Sequence, residues 1–310
     1  MSIELLPRGL PLASYRDKIK LSEKYISNTD QISSKKERCE LVESLLKVLS
    51  LEEKLYDYNQ VPDDYHGKRN LLRALLNIRP PSRLSKIFTD KIDRLLQDEL
   101  KKKVVQKDNE LSSVSELFPD SRLKHSKKLF LWKGDISCLR ADAIVNAAND
   151  GMLGCFQPLH NCIDNVIHSA AGPLLREDCR IIMDIQGARE RTGDAKITRA
   201  YNLPSRYVLH TVGPIIKERE VSEHQIEQLA SCYKSCLSLA AQVKEIKSIA
   251  FPCISTGVFN FPQGPAAEIA VKTVDEWLKN NENPFTKIIF NVFLEEDFSC
   301  YARIFRGQSN

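Results

Sequence analysis

The chain has 310 residues, 42% of them hydrophobic and 28% charged, which is enough apolar material for at least one full core and too much for a low-complexity disordered chain. Its net charge of +4 is too mild to mark a nucleic-acid-binding face, and no apolar run approaches the roughly 20 residues of a membrane-spanning helix. Nine cysteines, odd in number and irregularly spaced, argue against a disulfide framework and for a reducing compartment in which thiols are free to hold metal. The N-terminus lacks the apolar stretch of a signal peptide, so a cytoplasmic protein is expected. Arg8, Arg16, Lys18 and Lys20, against few acids, leave a mitochondrial presequence as the alternative.

Residues 1–107 read as a small helical domain, with apolar positions at helical spacing such as Leu41, Leu45, Leu49 and later Phe88, Ile92, Leu96. Pro80-Pro81 stops the helical segment Asn70 to Arg79, and Ser82 or Ser85 can cap the next helix. Lys101-Lys102-Lys103 sits at that helix's C-terminal end, where basic charge complements the dipole. Residues 108–127 are polar and read as a connection over the surface.

From residue 128 to 310 the pattern changes. Short apolar runs at Leu129–Trp132, Ala143–Ala148, Tyr207–Val212, Ser248–Ile254 and Lys287–Phe293 are too brief for buried helices and predict strands. Helical spacing appears between them, in Leu229, Tyr233, Leu237 and again in Ala270, Val274, Trp277. Alternation of this kind predicts an α/β fold whose largely parallel sheet is covered on both faces, with ligands gathering at the carboxyl ends of the strands.

The most informative stretch is Gly154-Cys155-Phe156-Gln157-Pro158-Leu159-His160-Asn161-Cys162, between a predicted strand end and a helix start. Cys155, His160 and Cys162 supply three soft or borderline ligands with no fourth Cys or His close by. That set suits zinc with a vacant position, the arrangement of a catalytic rather than a structural site. A Cys can equally be a small core hydrophobe, and Cys232, Cys236, Cys39 and Cys300 are read that way. His168 is read as packing, and Arg176, Glu177 and Asp178 as an exposed helix face without special signal.

Six segments, taken in order, resemble the macrodomain family. They are Leu131-Trp132-Lys133-Gly134-Asp135-Ile136, Asp142 to Asn149, Met152 to His168, Tyr201-Asn202-Leu203-Pro204, His210-Thr211-Val212-Gly213-Pro214, and Cys253-Ile254-Ser255-Thr256-Gly257-Val258-Phe259. The Cys/His loop stands where other macrodomain hydrolases carry a glycine run, which makes the chain similar to the zinc-containing macrodomain hydrolases. The resemblance covers roughly residues 128–305, and the Arg79-Pro80-Pro81 region is similar to that subgroup's helical extension.

The resemblance implies a three-layer α/β/α macrodomain with a mixed, largely parallel sheet, preceded by the helical domain. It implies that Asp135, with Ile136 beside it, meets the adenine of ADP-ribose; the alternative for Asp135 is a turn or cap carboxylate. Amides of Ser255, Thr256, Gly257, Val258 and Phe259 would cradle the diphosphate, since successive exposed N–H groups form anion-binding nests. Asn149 would meet the distal ribose, Asn146 would brace the loop, and Asp164 would orient water or substrate. One zinc ion per chain would be held by Cys155, His160 and Cys162. The expected activity is removal of mono-ADP-ribose from modified proteins, most readily from acidic side chains, by a monomer that binds neither membrane nor nucleic acid. A non-catalytic ADP-ribose reader and an O-acetyl-ADP-ribose deacetylase are the alternatives.

Overall fold

A computed structural model describes residues 9–52, 61–218 and 220–308. Arg8, counted above among the N-terminal basic residues, lies outside them. The helical region consists of α1 (Lys35–Ser50), α2 (Tyr65–Ile78) and α3 (Lys86–Leu100). Each starts where a side chain satisfies an otherwise orphaned amide: Ser34 accepts from Glu37 N, Asp64 from Gly67 N and Ser85 from Phe88 N. Of the two serines offered as caps for α3, Ser85 is therefore the one used. Leu45, Leu46, Leu49, Leu72, Ile92 and Leu95 from the three helices close a core of their own.

The remainder is an α/β/α sandwich. After the two-residue β1 (Gln106–Lys107) and the short α4 (Val114–Leu117) come β2 (Leu129–Lys133), the two-residue β3 (Leu139–Arg140) and β4 (Ala143–Ala148). Next are α5 (Ile163–Ala171), α6 (Pro173–Gln186), β5 (Ala195–Arg199) and β6 (Tyr207–Val212), then α7 (Glu223–Ala240), β7 (Ser248–Phe251), α8 (Gln263–Asn280), β8 (Lys287–Val292) and α9 (Glu295–Phe305). The main sheet has the order β2-β8-β7-β4-β6-β5, parallel except for the antiparallel pair β5/β6, while β1 and β3 form a separate parallel ladder.

Alternation within the strands explains why both faces are covered. Leu129 and Leu131 of β2, Ile288 and Phe290 of β8, and Ile249 and Phe251 of β7 enter the larger core with α7, α8 and α9. The residues between them, Phe130, Ile289 and Ala250, enter the second core with Ile167 of α5 and Leu175 of α6.

Three placements differ from the sequence reading. β5 is a strand that is absent from the apolar runs named above; Lys196 disguises it, although that side chain is 1% exposed and paired with Glu190 at 2.5 Å. The stretch read as a surface connection buries Val114 and Phe118 in the larger core, and Ser113 bridges to Phe130 on the outer edge of β2. Leu12, Tyr15, Ile19 and Leu21, assigned by position to the helical domain, also pack in that α/β core. There the Tyr15 hydroxyl accepts a hydrogen bond from Ile197 N of the opposite edge strand at 3.1 Å. Both sheet edges are thus covered by segments outside the sandwich, which removes a template for edge-to-edge pairing. Among the described residues no helix is long and apolar enough to cross a membrane.

Candidate functional site

The loops leaving the carboxyl ends of the parallel strands interlock along one edge of the sheet, the place where open α/β folds collect ligands. Gly213, just past β6, lies so close to the loop after β7 that a Cβ there would fall 2.0 Å from Ser255 Oγ. Ile216 N donates to Phe259 O at 2.8 Å, and Gly134 N donates to Val292 O at 2.9 Å.

β4 delivers two asparagines to this edge, and both grip Asp164 at the start of α5. Asn146 Nδ2 donates to Asp164 Oδ1 at 2.7 Å, and Asn149 Nδ2 donates to Asp164 Oδ2 at 3.3 Å and to Gly154 O at 3.0 Å. Asn149 Oδ1 in turn accepts from Gly151 N at 3.0 Å. The loop bracing expected of Asn146 falls instead to Asn149, whose amide ties the loop to α5, while Asn146 holds Asp164 and His210. Asp164 is 4% exposed, and burial pushes its carboxyl up to about 6, an effect that the Asn146 hydrogen bond and the charge of Arg176 reduce.

Beside this carboxylate lie three buried groups, His168, Cys179 and His210. His210 is fully engaged, with Nδ1 3.2 Å from Asn146 Nδ2 and Nε2 2.9 Å from Thr198 Oγ1, so its neutral ring is a structural strut. His168 packs beneath the loop, as the sequence reading had it: a Cβ on Gly154, which holds φ +84°, would stand 3.0 Å from His168 Cγ. Burial holds both imidazoles below their ordinary range, His210 at about 3.

The loop brings Cys155, His160 and Cys162 together, with one ligand atom of each within 4.8 Å of the others. Cys155 Sγ lies 3.5 Å from His160 Nδ1. Tetrahedral zinc with ordinary Zn–S and Zn–N bonds sets sulfur and nitrogen about 3.6 Å apart, so the donor set fits that ion. All three residues are partly exposed, which leaves a side open to a fourth ligand. Cys162 also caps α5, its sulfur accepting from Asn165 N at 3.4 Å. Burial, with the Cys155 thiol adding to it, pushes the Cys162 thiol up to about 11 against the lowering effect of that amide. A bound cation would reverse this and favour the thiolate.

The turn after β7 starts with Ser255 in the left-handed region at φ +66° and returns through Asn260 at φ +57°. Phe261 N donates to Ser255 O at 2.9 Å and Asn260 N to Gly257 O at 3.0 Å, closing the turn from inside. Of the amides expected at the diphosphate, that of Thr256 donates to Cys253 O at 3.4 Å, whereas those of Gly257, Val258 and Phe259 make no hydrogen bond among the described residues, as a nest for an anion requires. Phe261 is core and Phe259 is partly exposed. At the far end, Asp135 Oδ1 accepts from Ser137 N at 2.9 Å and caps the short turn Ile136–Cys138, which is the role weighed as its alternative. Its second oxygen lies 3.8 Å from Lys103 Nζ, and the side chain stays 37% exposed. Ile136 is 3% exposed, so only its main chain can reach a ligand.

Four polar residues in and beside the site carried no signal in the sequence. Arg176, read as exposed, is 6% exposed, and its guanidinium donates to the carbonyls of Leu76, Asn77 and Arg79 at the end of α2 while lying 4.5 Å from the Phe156 ring centroid. Its neighbour Asp178 is likewise buried, paired with Arg199 at 3.1 Å. Arg73 and Asn77 of α2 reach the Cys/His loop and the start of α5 directly. No local pattern could have flagged them, because an isolated polar residue on an amphipathic helix reads as solvated surface.

The pattern defining the Macro domain matches residues 145–270. A protein-ADP-ribose hydrolase of Treponema medium is 46% identical over 273 residues, which is 88% of this chain and 99% of the relative. One from Staphylococcus aureus strain MRSA252 is 43% identical over 264 residues, 85% of this chain and 94% of the relative. Among solved structures, the Trypanosoma brucei macrodomain in complex with ADP-ribose superposes with a TM-score of 0.55 at 30% identity, over 74% of this chain and 94% of that one. A six-stranded, mostly parallel sheet covered by helices, the Macro domain match and relatives matched over nearly their whole length place this chain in the macrodomain protein-ADP-ribose hydrolase family.

Proposed function

We infer that this chain is a zinc-dependent hydrolase that removes mono-ADP-ribose from modified proteins, with an acidic side chain as the preferred attachment. The observation that carries the reading is the convergence of Cys155, His160 and Cys162 within 4.8 Å of one another, in the loop that Asn149 and Asp164 brace. The names of the relatives support the substrate class. When bound there, zinc would supply Lewis-acid polarisation of an oxygen.

The protein's own groups bind and orient. The free amides of Gly257, Val258 and Phe259 take the diphosphate, and the partly exposed carboxylate of Asp135 takes the adenine amino group. These remote contacts fix the distal ribose at the loop, so that its anomeric carbon is presented in one geometry. Asn149 acts on the ribose hydroxyls. Asp164, bonded to the amides of Asn146 and Asn149, holds the reacting groups in register.

The test incubates the purified protein with acceptors carrying ester-, serine- or arginine-linked mono-ADP-ribose, with and without a zinc chelator, beside Cys155→Ala. Release of ADP-ribose from the ester-linked acceptor, lost on chelation and in the variant while ADP-ribose binding persists, is the expected result. Metal analysis should find close to one zinc per chain. Release that survives both treatments would rule out the metal's role. Binding without release from any acceptor would leave a reader, and release from O-acetyl-ADP-ribose alone would move the substrate to a small molecule.

A further inference from the structure

The Cys/His loop is not held by the α/β sandwich alone. Leu159, immediately before the ligand His160, sits at φ +57°, a backbone state that costs a non-glycine residue roughly 1–2 kcal/mol. Such a conformation persists only where its surroundings enforce it. Here the enforcing group comes from α2: Asn77 Oδ1 accepts from Leu159 N at 3.1 Å, while Asn77 Nδ2 donates to Ser169 Oγ of α5 at 3.1 Å. The Asn77 side chain is pinned at both ends and the residue is 3% exposed.

A second anchor, two residues earlier in the loop, also leads back to α2. Gln157 O accepts from Asn165 Nδ2 at 3.0 Å as well as from His160 N at 3.3 Å. Asn165 is oriented by Arg73, whose Nη2 donates to Asn165 Oδ1 at 2.9 Å. The turn that carries His160 towards Cys155 and Cys162 is therefore fixed at Leu159 directly by Asn77 of α2, 82 residues upstream, and at Gln157 by Asn165 of α5, which Arg73 of α2 orients.

We propose that Asn77 and Arg73 are positioning residues of the metal centre, holding the turn from Gln157 to His160 so that the three ligands meet before the ion arrives. The helical domain is then a working part of the site. The inference rests on the zinc reading above and deepens it. Residues that orient metal ligands without touching the ion typically contribute 10–100-fold in metal affinity.

Zinc affinity is measured by competition with a chromogenic chelator, beside the thermal midpoint of each protein in metal-free form. Asn77→Leu, close in size but without the acceptor, is expected to weaken zinc binding 10–100-fold. Asn77→Asp keeps the acceptor facing Leu159 and is expected to stay within about threefold of wild type, by the same reasoning. Arg38→Ala breaks the 2.9 Å pair with Asp98 inside the helical domain, far from the loop. It should lower the midpoint without moving zinc affinity. Should Asn77→Leu fail to fold, Arg73→Met, acting through Asn165, carries the same expectation. Zinc bound by these variants as tightly as by wild type overturns the proposal, and so does a loss that Arg38→Ala reproduces. Wild-type protein that takes up no zinc instead overturns the zinc reading itself, and the inference with it.

Discussion

At the scale of single residues, the site is organised by polar groups kept out of water in fixed protonation states. His210 is the clearest, because its neutral ring must accept from Asn146 at Nδ1 and present Nε2–H to Thr198. Its folded value of about 3 lies below the roughly 6.5 of an unfolded histidine, so between those limits the unfolded chain binds the extra proton. The stability this ring contributes is present above pH ~6.5 and is lost as pH falls through the window, at up to about 1.4 kcal/mol per pH unit. Asp164, raised by burial, works in the opposite sense below about 6, so the comparison should be a difference. Denaturation free energies of wild type and His210→Gln across pH 4–7 are expected to diverge most at pH 7 and converge towards acid; the reverse trend would show that the ring is charged in the fold. Of the site residues, the convergence of Cys155, His160 and Cys162 was legible because the three lie within eight consecutive positions. The division of labour between Asn146 and Asn149 was not, since it depends on the position of Asp164 in space. Arg73, Asn77 and Arg176 were illegible because their partners are remote in sequence.

At the scale of elements, α2 ends without the glycine that commonly closes a helix, and its last carbonyls need other donors. Arg176 of α6 supplies them, bonding three carbonyls of residues 76–79. Arg176→Met keeps much of the apolar stem and removes every donor. With several buried carbonyls left unpaired at about 1–3 kcal/mol each before relaxation, chemical denaturation should show a loss of roughly 3 kcal/mol. A loss below about 0.5 kcal/mol, the usual range for surface substitutions, would mean that water replaces the guanidinium. The amphipathic helices and the five apolar strands were legible from periodicity, because each buries a continuous stripe or face. β5 was not, because an edge strand tolerates charge and its one buried lysine is neutralised by a glutamate that no strand pattern reveals. The stretch 108–127 misled for a related reason: its polar majority conceals two apolar side chains, Val114 and Phe118, that reach the core.

At the scale of the molecule, composition separates a helical half from an α/β half, but packing does not respect the boundary. Leu12, Tyr15, Ile19 and Leu21 complete the α/β core from the far end of the chain, and Asn202 Nδ2 joins the halves by donating to Asp93 Oδ1 at 2.7 Å. A fragment of residues 107–310 lacks the cover of β5 and the partners of the Cys/His loop. It is expected to melt at least 10 °C below the full chain, since several kcal/mol are removed and each shifts the midpoint by about 2–4 °C in a chain of this size. Differential scanning calorimetry of both proteins gives the comparison, and equal midpoints would show that the sandwich is self-sufficient.

The bond between Tyr15 and Ile197 spans 182 residues, and this has a consequence for how the protein is made. At about 5–20 residues per second, a ribosome needs roughly 10–40 s after releasing Tyr15 to produce its partner. Through that interval α1, α2 and α3 can close their local core, while Leu12, Tyr15 and Ile19 remain without the apolar surface they are built to join. This segment leaves the ribosome before the strand it joins and is seated only after that strand, so its apolar side chains stay uncovered for most of synthesis.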